Sequence, residues 1–286
     1  MYTITHTAMG SPWHIEVYQE VVDVQLLQKN ISRILDDFDT TYSRFSSTSL
    51  ISKISHVTGT HTVPKDLVVM LRDYGKMYSA SGHKINPLVG GTIEDLGYDA
   101  SYSLIKKNVV REVPSFETAI SINSDTSITV HQSCLIDIGA LGKGYCVGLI
   151  GAYLDNEGYA QYVINGSGDL LHKGHVPVKV GLENPFNTEE VIGTIQLKNM
   201  ALASSGSNRR AWADMHHIID PETLQSPQNI VATWVLAHDP AHADILSTAI
   251  FLVSPDTLKQ QYEFEWLIVS SDHVSSYSKG FIADLF

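Results

Sequence analysis

Apolar and polar residues alternate through "YTITHTA" and again through "WHIEVYQ", with the turn-prone "MGSP" between them. A period of two on both sides of such a turn predicts a β-hairpin at the start of the chain. The period then lengthens. Leu27, Ile31, Ile34, Leu35 and Phe38 recur at helical spacing and predict an amphipathic helix through about residue 39. Leu67, Leu71, Tyr74 and Tyr78 predict a second helix, closed by a turn around Gly82. The stretch between the two, "YSRFSSTSLISKIS", is polar. Beyond residue 100 short apolar runs dominate: "AISI", "SITV", "CLIDI", "QYVI", "VKVGL", "TIQL", "IVATWVLA" and "EWLIVS" read as strands. Helices are expected near 143–156 and 242–253. No repeat, low-complexity segment or linker divides the chain. The expected fold class is therefore α+β, a single domain over 1–286 of mixed, largely antiparallel β-sheet with packed helices.

Composition narrows the function. With 43% hydrophobic and 17% charged residues, the 286-residue chain has the makings of a large core. Its 19 Lys+Arg against 31 Asp+Glu give a net charge of −12, which disfavours nucleic acid as a partner. A small anion held by a few local donors remains compatible. No run of about 18 apolar residues occurs, so no membrane span is expected. The N-terminus lacks a basic region followed by an apolar one, and a cytoplasmic location is expected. Cys134 and Cys146 lie in apolar surroundings outside CxxC spacing, and are expected to be buried free thiols.

Several segments carry candidate chemistry. "LIDIGALGKGYCVGLI" (135–150) reads as a strand, a glycine turn and a helix. It is too short for a P-loop, and Gly144 stands where a Ser or Thr would hold Mg²⁺. "NGSGDLLHKG" likewise misses the dinucleotide fingerprint. Two readings of Gly139, Gly142 and Gly144 stay open: close approach of an anion to helix N–H groups beside Lys143, or tight packing of the turn. Asp137 would repel phosphate and suits a ligand with donors, such as ribose, a flavin N–H or a metal-bound water. In "AHADILSTAIFLV", Asp244, Ser247 and Thr248 share a helix face. They are either hard oxygen ligands for Mg²⁺ or Ca²⁺, or a dipole-complementing Asp with a back-bonded hydroxyl. "HDPAH" only superficially resembles a zinc motif, because Pro240 prevents a helix from running through both histidines. In "DMHHIIDP", adjacent His216 and His217 point to opposite faces, so one alone can meet a site, as base or ligand donor or as a structural group. "ASSGSNRR" adds a pair of arginines compatible with an anion.

The order of these pieces is informative. From "AMGSPWHIEVY" through "YSRFSSTSLISKIS", "SGHKINPLVGG", "LGYD", "LIDIGALGKGY", "INGSGDL", "ALASSGSNRR", "HHIIDP" and "ADILSTAIFLV", the sequence resembles the ApbE family of flavin transferases nearly end to end. The resemblance implies Mg²⁺-dependent cleavage of the FAD pyrophosphate, transfer of FMN to a threonine hydroxyl of an acceptor protein, and release of AMP. It implies that Met9, Phe45, Leu96, Gly97, Tyr98, Asp137, Lys143 and His217 meet FAD, with Phe45 against the flavin ring. It assigns Mg²⁺ to the Ala140 carbonyl, Asp244 and Thr248 with Ser247 close by, and makes His217 and Asp244 the catalytic residues. An FAD pyrophosphatase releasing FMN and AMP, or a non-catalytic FAD-binding protein, are the alternatives. No acceptor-type threonine motif occurs in the chain, so self-modification is not expected. The chain departs from the family pattern at His83, Ser167 and Leu224, where glycine is usual, and at Asn86, Gly148 and Asn208.

Overall fold

The computed structural model describes residues 1–286. β1 (Tyr2–Ala8) and β2 (Ser11–Val17) form the predicted hairpin, with Ala8 opposite Ser11. The two turn residues, Met9 and Gly10, both have positive φ (52° and 68°), as the twist-compatible two-residue turn requires. The Met9 amide donates to Asp39 at 2.8 Å, which ties this tip to the helix that follows.

That helix, α1 (Val24–Tyr42), is capped by Asp23 and outruns its expected end because Tyr42 is still buried. The polar stretch after it contains α2 (Leu50–Ser55), which the sequence pattern did not reveal. It is too short to show a period, but Ser49 caps it and Ile51 and Ile54 bury. Next come β3 (Gly59–Thr62), α3 (Lys65–Ala80), α4 (Gly90–Asp95), α5 (Phe116–Ala119), β4 (Ile120–Ser124) and β5 (Ser127–Val130). β3, β5 and β4 pair as a small sheet in that order.

"CLIDI" is not a strand. It runs extended beside α2, and its amides are satisfied without a ladder: Cys134 N–H donates to the Ser55 carbonyl (2.9 Å), Ile136 N–H to Ser55 Oγ (3.0 Å) and Asp137 N–H to the Pro87 carbonyl (2.7 Å). A buried apolar run looks the same in sequence whether its partner is a strand or a loop.

The second half supplies α6 (Gly142–Asn156), β6 (Tyr162–Asn165), β7 (Leu170–Lys173), β8 (Val178–Asn184), β9 (Asn187–Leu197), β10 (Ala201–Gly206), β11 (Ala211–Trp212) and β12 (Met215–His216). β13 (Ile230–Ala237), α7 (Pro240–Ala249), α8 (Pro255–Leu258), β14 (Glu265–Ser270), β15 (Ser275–Tyr277) and β16 (Ala283–Leu285) complete it. α7 starts earlier than expected because Asp239 accepts from the Ala241 and His242 amides and Pro240 fits the first helical turn.

An antiparallel sheet, β1-β2-β6-β7-β10-β13-β14-β15, forms the spine. The helices α1, α3, α6 and α7 share one core with one face of it, and β16-β9-β8 covers the other face. β13 shows the consequence. Val235 and Ala237 join the helical core, while Ala232, Trp234 and Leu236 join the core under the small sheet. A strand covered on both faces needs an unbroken apolar run, and "IVATWVLA" is one. No helix is long and apolar enough to cross a membrane.

His83, Ser167 and Leu224, the three residues standing where glycine is usual, have φ of 72°, 60° and 56°. The backbone at these positions is left-handed, a conformation that glycine adopts without strain and a residue with a Cβ does not.

Candidate active site

The hairpin tip, the segment after α1, the turn into α6, the stretch before β11 and the end of α7 enclose a cleft of about 710 Å³. It continues into a polar extension of about 340 Å³ that shares Gly10, Lys143, Arg210, His217 and Thr248 with it. Such volumes suit a cofactor-sized ligand.

One end is aromatic. Phe45 stacks on Tyr102 (ring centroids 5.5 Å apart, planes within 9°) and meets Tyr98 edge-on at 5.5 Å. Arg44 also lies over the Phe45 ring, its guanidinium carbon 4.1 Å from the centroid. This buried arginine also joins the walls: Nε pairs with Asp137 at 2.7 Å and Nη2 donates to the Tyr98 carbonyl at 3.1 Å. Its Nη1 is buried without a partner. Asp137 further accepts the Gly139 amide at 2.6 Å, which shapes the turn into α6.

The other end is polar and built where α6 meets α7. Gly144 has to be glycine, because a Cβ there would come within 2.2 Å of the Pro240 carbonyl oxygen. The Gly144 amide donates to Asp244 Oδ2 at 2.8 Å. The start of α6 therefore receives a carboxyl group from its own chain, and Gly144 serves helix packing. Lys143 pairs with buried Asp169 rather than standing free, and Asp169 Oδ1 has no partner.

Burial, reinforced by nearby Asp169 and offset only in part by Lys143, pushes the Asp244 carboxyl up to about 8. An acid so placed lacks a cation of its own, and a divalent ion would supply one. No cluster of three His, Cys, Asp or Glu side chains could hold a metal, so an ion at Asp244 would draw on hydroxyl and carbonyl oxygens. Thr248 and Ala140 line the cleft and offer both. That hard donor set fits Mg²⁺. Ser247 is fully buried; its hydroxyl donates to the Asp244 carbonyl at 2.8 Å and lies 2.7 Å from Ser205 Oγ, so it supports the Asp244 turn from behind.

The adjacent histidines separate as their spacing requires. His216 is buried against the Pro227 carbonyl at 2.8 Å, while His217 lines both parts of the cleft. His217 Nδ1 is buried without a partner, which leaves Nε2 for a ligand. Burial first, then the positive charge of Arg210, holds the His217 imidazole well below its ordinary range. It is neutral at physiological pH.

Met9, Phe45, Tyr98, Asp137, Ala140, Lys143, His217 and Thr248 thus line the cleft, with Asp244 in its polar extension. Leu96 and Gly97 stand behind the wall. Leu96 is fully buried and its carbonyl accepts Trp212 Nε1 at 2.9 Å; Gly97, at φ 116°, lies against the backbone of Leu104 and Ile105. Asn86 is buried, donates to the Pro114 carbonyl at 2.8 Å and accepts the Leu88 amide at 2.9 Å. An Asp there would lose the first bond. Arg44, Tyr102, Asp169 and Arg210 belong to the site although sequence reasoning gave none of them a place there. Of these, only Arg210 had left a trace, in the arginine pair of "SNRR".

The family model described as "ApbE family" matches residues 9–266. A Vibrio cholerae protein named FAD:protein FMN transferase is 22% identical over 268 residues, covering 87% of this chain and 80% of the relative. A Rhodobacter capsulatus protein of the same name is 29% identical over 181 residues, covering 58% of this chain and 34% of its own length. Among solved structures, the Vibrio cholerae flavin transferase ApbE superposes with a TM-score of 0.85 at 20% identity, covering 98% of this chain and 97% of that one. The Thermotoga maritima ApbE protein gives 0.86 at 21%, with the same coverage. With the match running from the hairpin tip into β14 and the fold shared almost end to end, the chain belongs to the ApbE family.

Proposed function

We propose that this protein is a flavin transferase: residues 1–286 act as one catalytic domain that binds FAD, transfers FMN to a threonine hydroxyl of an acceptor protein and releases AMP with the help of Mg²⁺. The observation that carries this reading is the continuous cleft, which leads from an aromatic end at Phe45, Tyr98 and Tyr102 to His217 and the Asp244–Thr248 pair. A flat, apolar ring suits the first and a phosphate the second. Membership of a family whose curated members carry the name FAD:protein FMN transferase supports it. The two buried free thiols fit a reducing compartment and a cytoplasmic location.

Phe45 and Tyr98 hold the flavin end, and Asp137, fixed by Arg44, accepts from its donors. Asp244, Thr248 and the Ala140 carbonyl would hold Mg²⁺, which when bound neutralises phosphate charge and polarises the phosphoryl group. A threonine hydroxyl is a weak nucleophile until its proton is removed, and neutral His217 is placed to take it. The acceptor oxygen forms a bond to the FMN phosphorus as the bridging P–O bond breaks. AMP leaves with that electron pair.

The test is incubation with FAD and Mg²⁺, with and without a threonine-bearing acceptor domain, followed by chromatography and intact-mass measurement. AMP together with an FMN mass increment on the acceptor is the expected result. AMP and free FMN in both samples would make the protein a pyrophosphatase, and bound, uncleaved FAD in both would make it a flavin-binding protein.

A further inference from the structure

We propose that Arg210 is the residue that receives the pyrophosphate of FAD, at the junction between the aromatic and polar parts of the cleft. This rests on the flavin-transfer reading and names a contact within it. Sequence and turn geometry both point first to Lys143 for that task. The structure gives Lys143 to Asp169 instead.

Arg44, Lys84, Lys143, Arg209 and Arg210 are the lysines and arginines that line the cleft. Four of them are neutralised within the chain: Arg44 by Asp137 at 2.7 Å, Lys84 by Asp220 at 2.9 Å, Lys143 by Asp169 and Arg209 by Glu183 at 2.8 Å. Arg210 forms no ion pair, and its guanidinium makes no hydrogen bond to the chain. It is half-buried and lines both parts of the cleft, and its backbone carbonyl accepts the amide of His217 at 3.2 Å. Its charge reaches His217, where it adds to burial in disfavouring the protonated imidazole.

A partly desolvated cation without an internal anion carries a cost that an incoming anion removes. The guanidinium fork matches two phosphate oxygens at once, which an ammonium group does not. Placed next to His217, the same charge would keep the base neutral and oppose the negative charge that grows on the departing AMP phosphate.

The experiment compares FAD and riboflavin, which shares the ring system but has no phosphate, by flavin-fluorescence titration of the wild-type protein, Arg210→Met and Arg210→Lys. Circular dichroism checks that each variant folds. Arg210→Met is expected to weaken FAD binding roughly 10- to 100-fold and leave riboflavin unchanged, with Arg210→Lys in between. Unchanged FAD affinity in Arg210→Met would overturn the proposal. Equal losses for both ligands would also overturn it, by making Arg210 a support of the cleft wall. A wild-type protein that binds neither ligand would instead sink the flavin reading itself, and this contact with it.

Discussion

His217 and Asp244 have ionisation states set by their surroundings rather than by their type. Burial and Arg210 keep His217 neutral, and burial with Asp169 keeps a proton on Asp244 until a cation or a pH of about 8 removes it. In steady-state FAD turnover with Mg²⁺, His217→Ala and Asp244→Ala should each abolish activity while leaving the circular dichroism spectrum unchanged. The pH profile gives an independent check. A base works only when unprotonated, and this one has its pKa depressed, so with Mg²⁺ saturating at every pH, which keeps Asp244 ionised, turnover should stay level as pH falls through 6.5 and drop only well below it. A half-maximal rate at 6.5 would mean that an unperturbed group limits the reaction. Backbone strain is also local. Leu224 has φ of 56°, a conformation that costs about 1–2 kcal/mol for a residue with a Cβ. Leu224→Gly should therefore raise stability by about 0.5–1 kcal/mol after the added flexibility of the unfolded chain is counted, measurable as a higher urea midpoint. His83 shares the conformation but stacks on Tyr78, with ring centroids 4.3 Å apart, which offsets its strain.

Elements are joined to the cleft by a few buried charges. Asp95, at the end of α4, is bonded by Arg111 Nε at 2.6 Å and Lys107 Nζ at 2.7 Å, and so pins both sides of the loop that carries Tyr102. Burial raises its carboxyl, but these bonds outweigh burial and lower it from 3.8 to about 2. A depressed folded-state pKa means stability that is present above pH 4 and lost as pH falls towards 2. Asp95→Asn should cost on the order of 1–3 kcal/mol at pH 7 and markedly less at pH 2, where the carboxyl is partly protonated, compared by urea unfolding at the two pH values. Among the elements the sequence reading missed or misjudged, two illustrate the reasons, length and partner. α2 spans less than two turns and so shows no period, and "CLIDI" finds side-chain and loop acceptors in place of a neighbouring strand.

At the scale of the molecule, the central sheet works because both of its faces are covered. Trp234, 5% exposed, ties β13 to the core under β16-β9-β8. Trp234→Ala should cost about 3–5 kcal/mol, read as a lower denaturant midpoint with an unchanged slope. A loss below about 1 kcal/mol would show that the small sheet adds little to the fold. The hairpin, the long amphipathic helices and the doubly covered strand β13 were determined by the sequence alone, because burial on one face or two imposes a period that residue order records. The order of the motif blocks carried the family in the same way. Only the tertiary structure decided which charges are free. Lys143 and Arg210 both lie in segments that read as compatible with an anion, yet one is matched by Asp169, 26 residues further along the chain, and the other by nothing. Pairing between distant side chains depends on their distance in space, and no local pattern of residues encodes it.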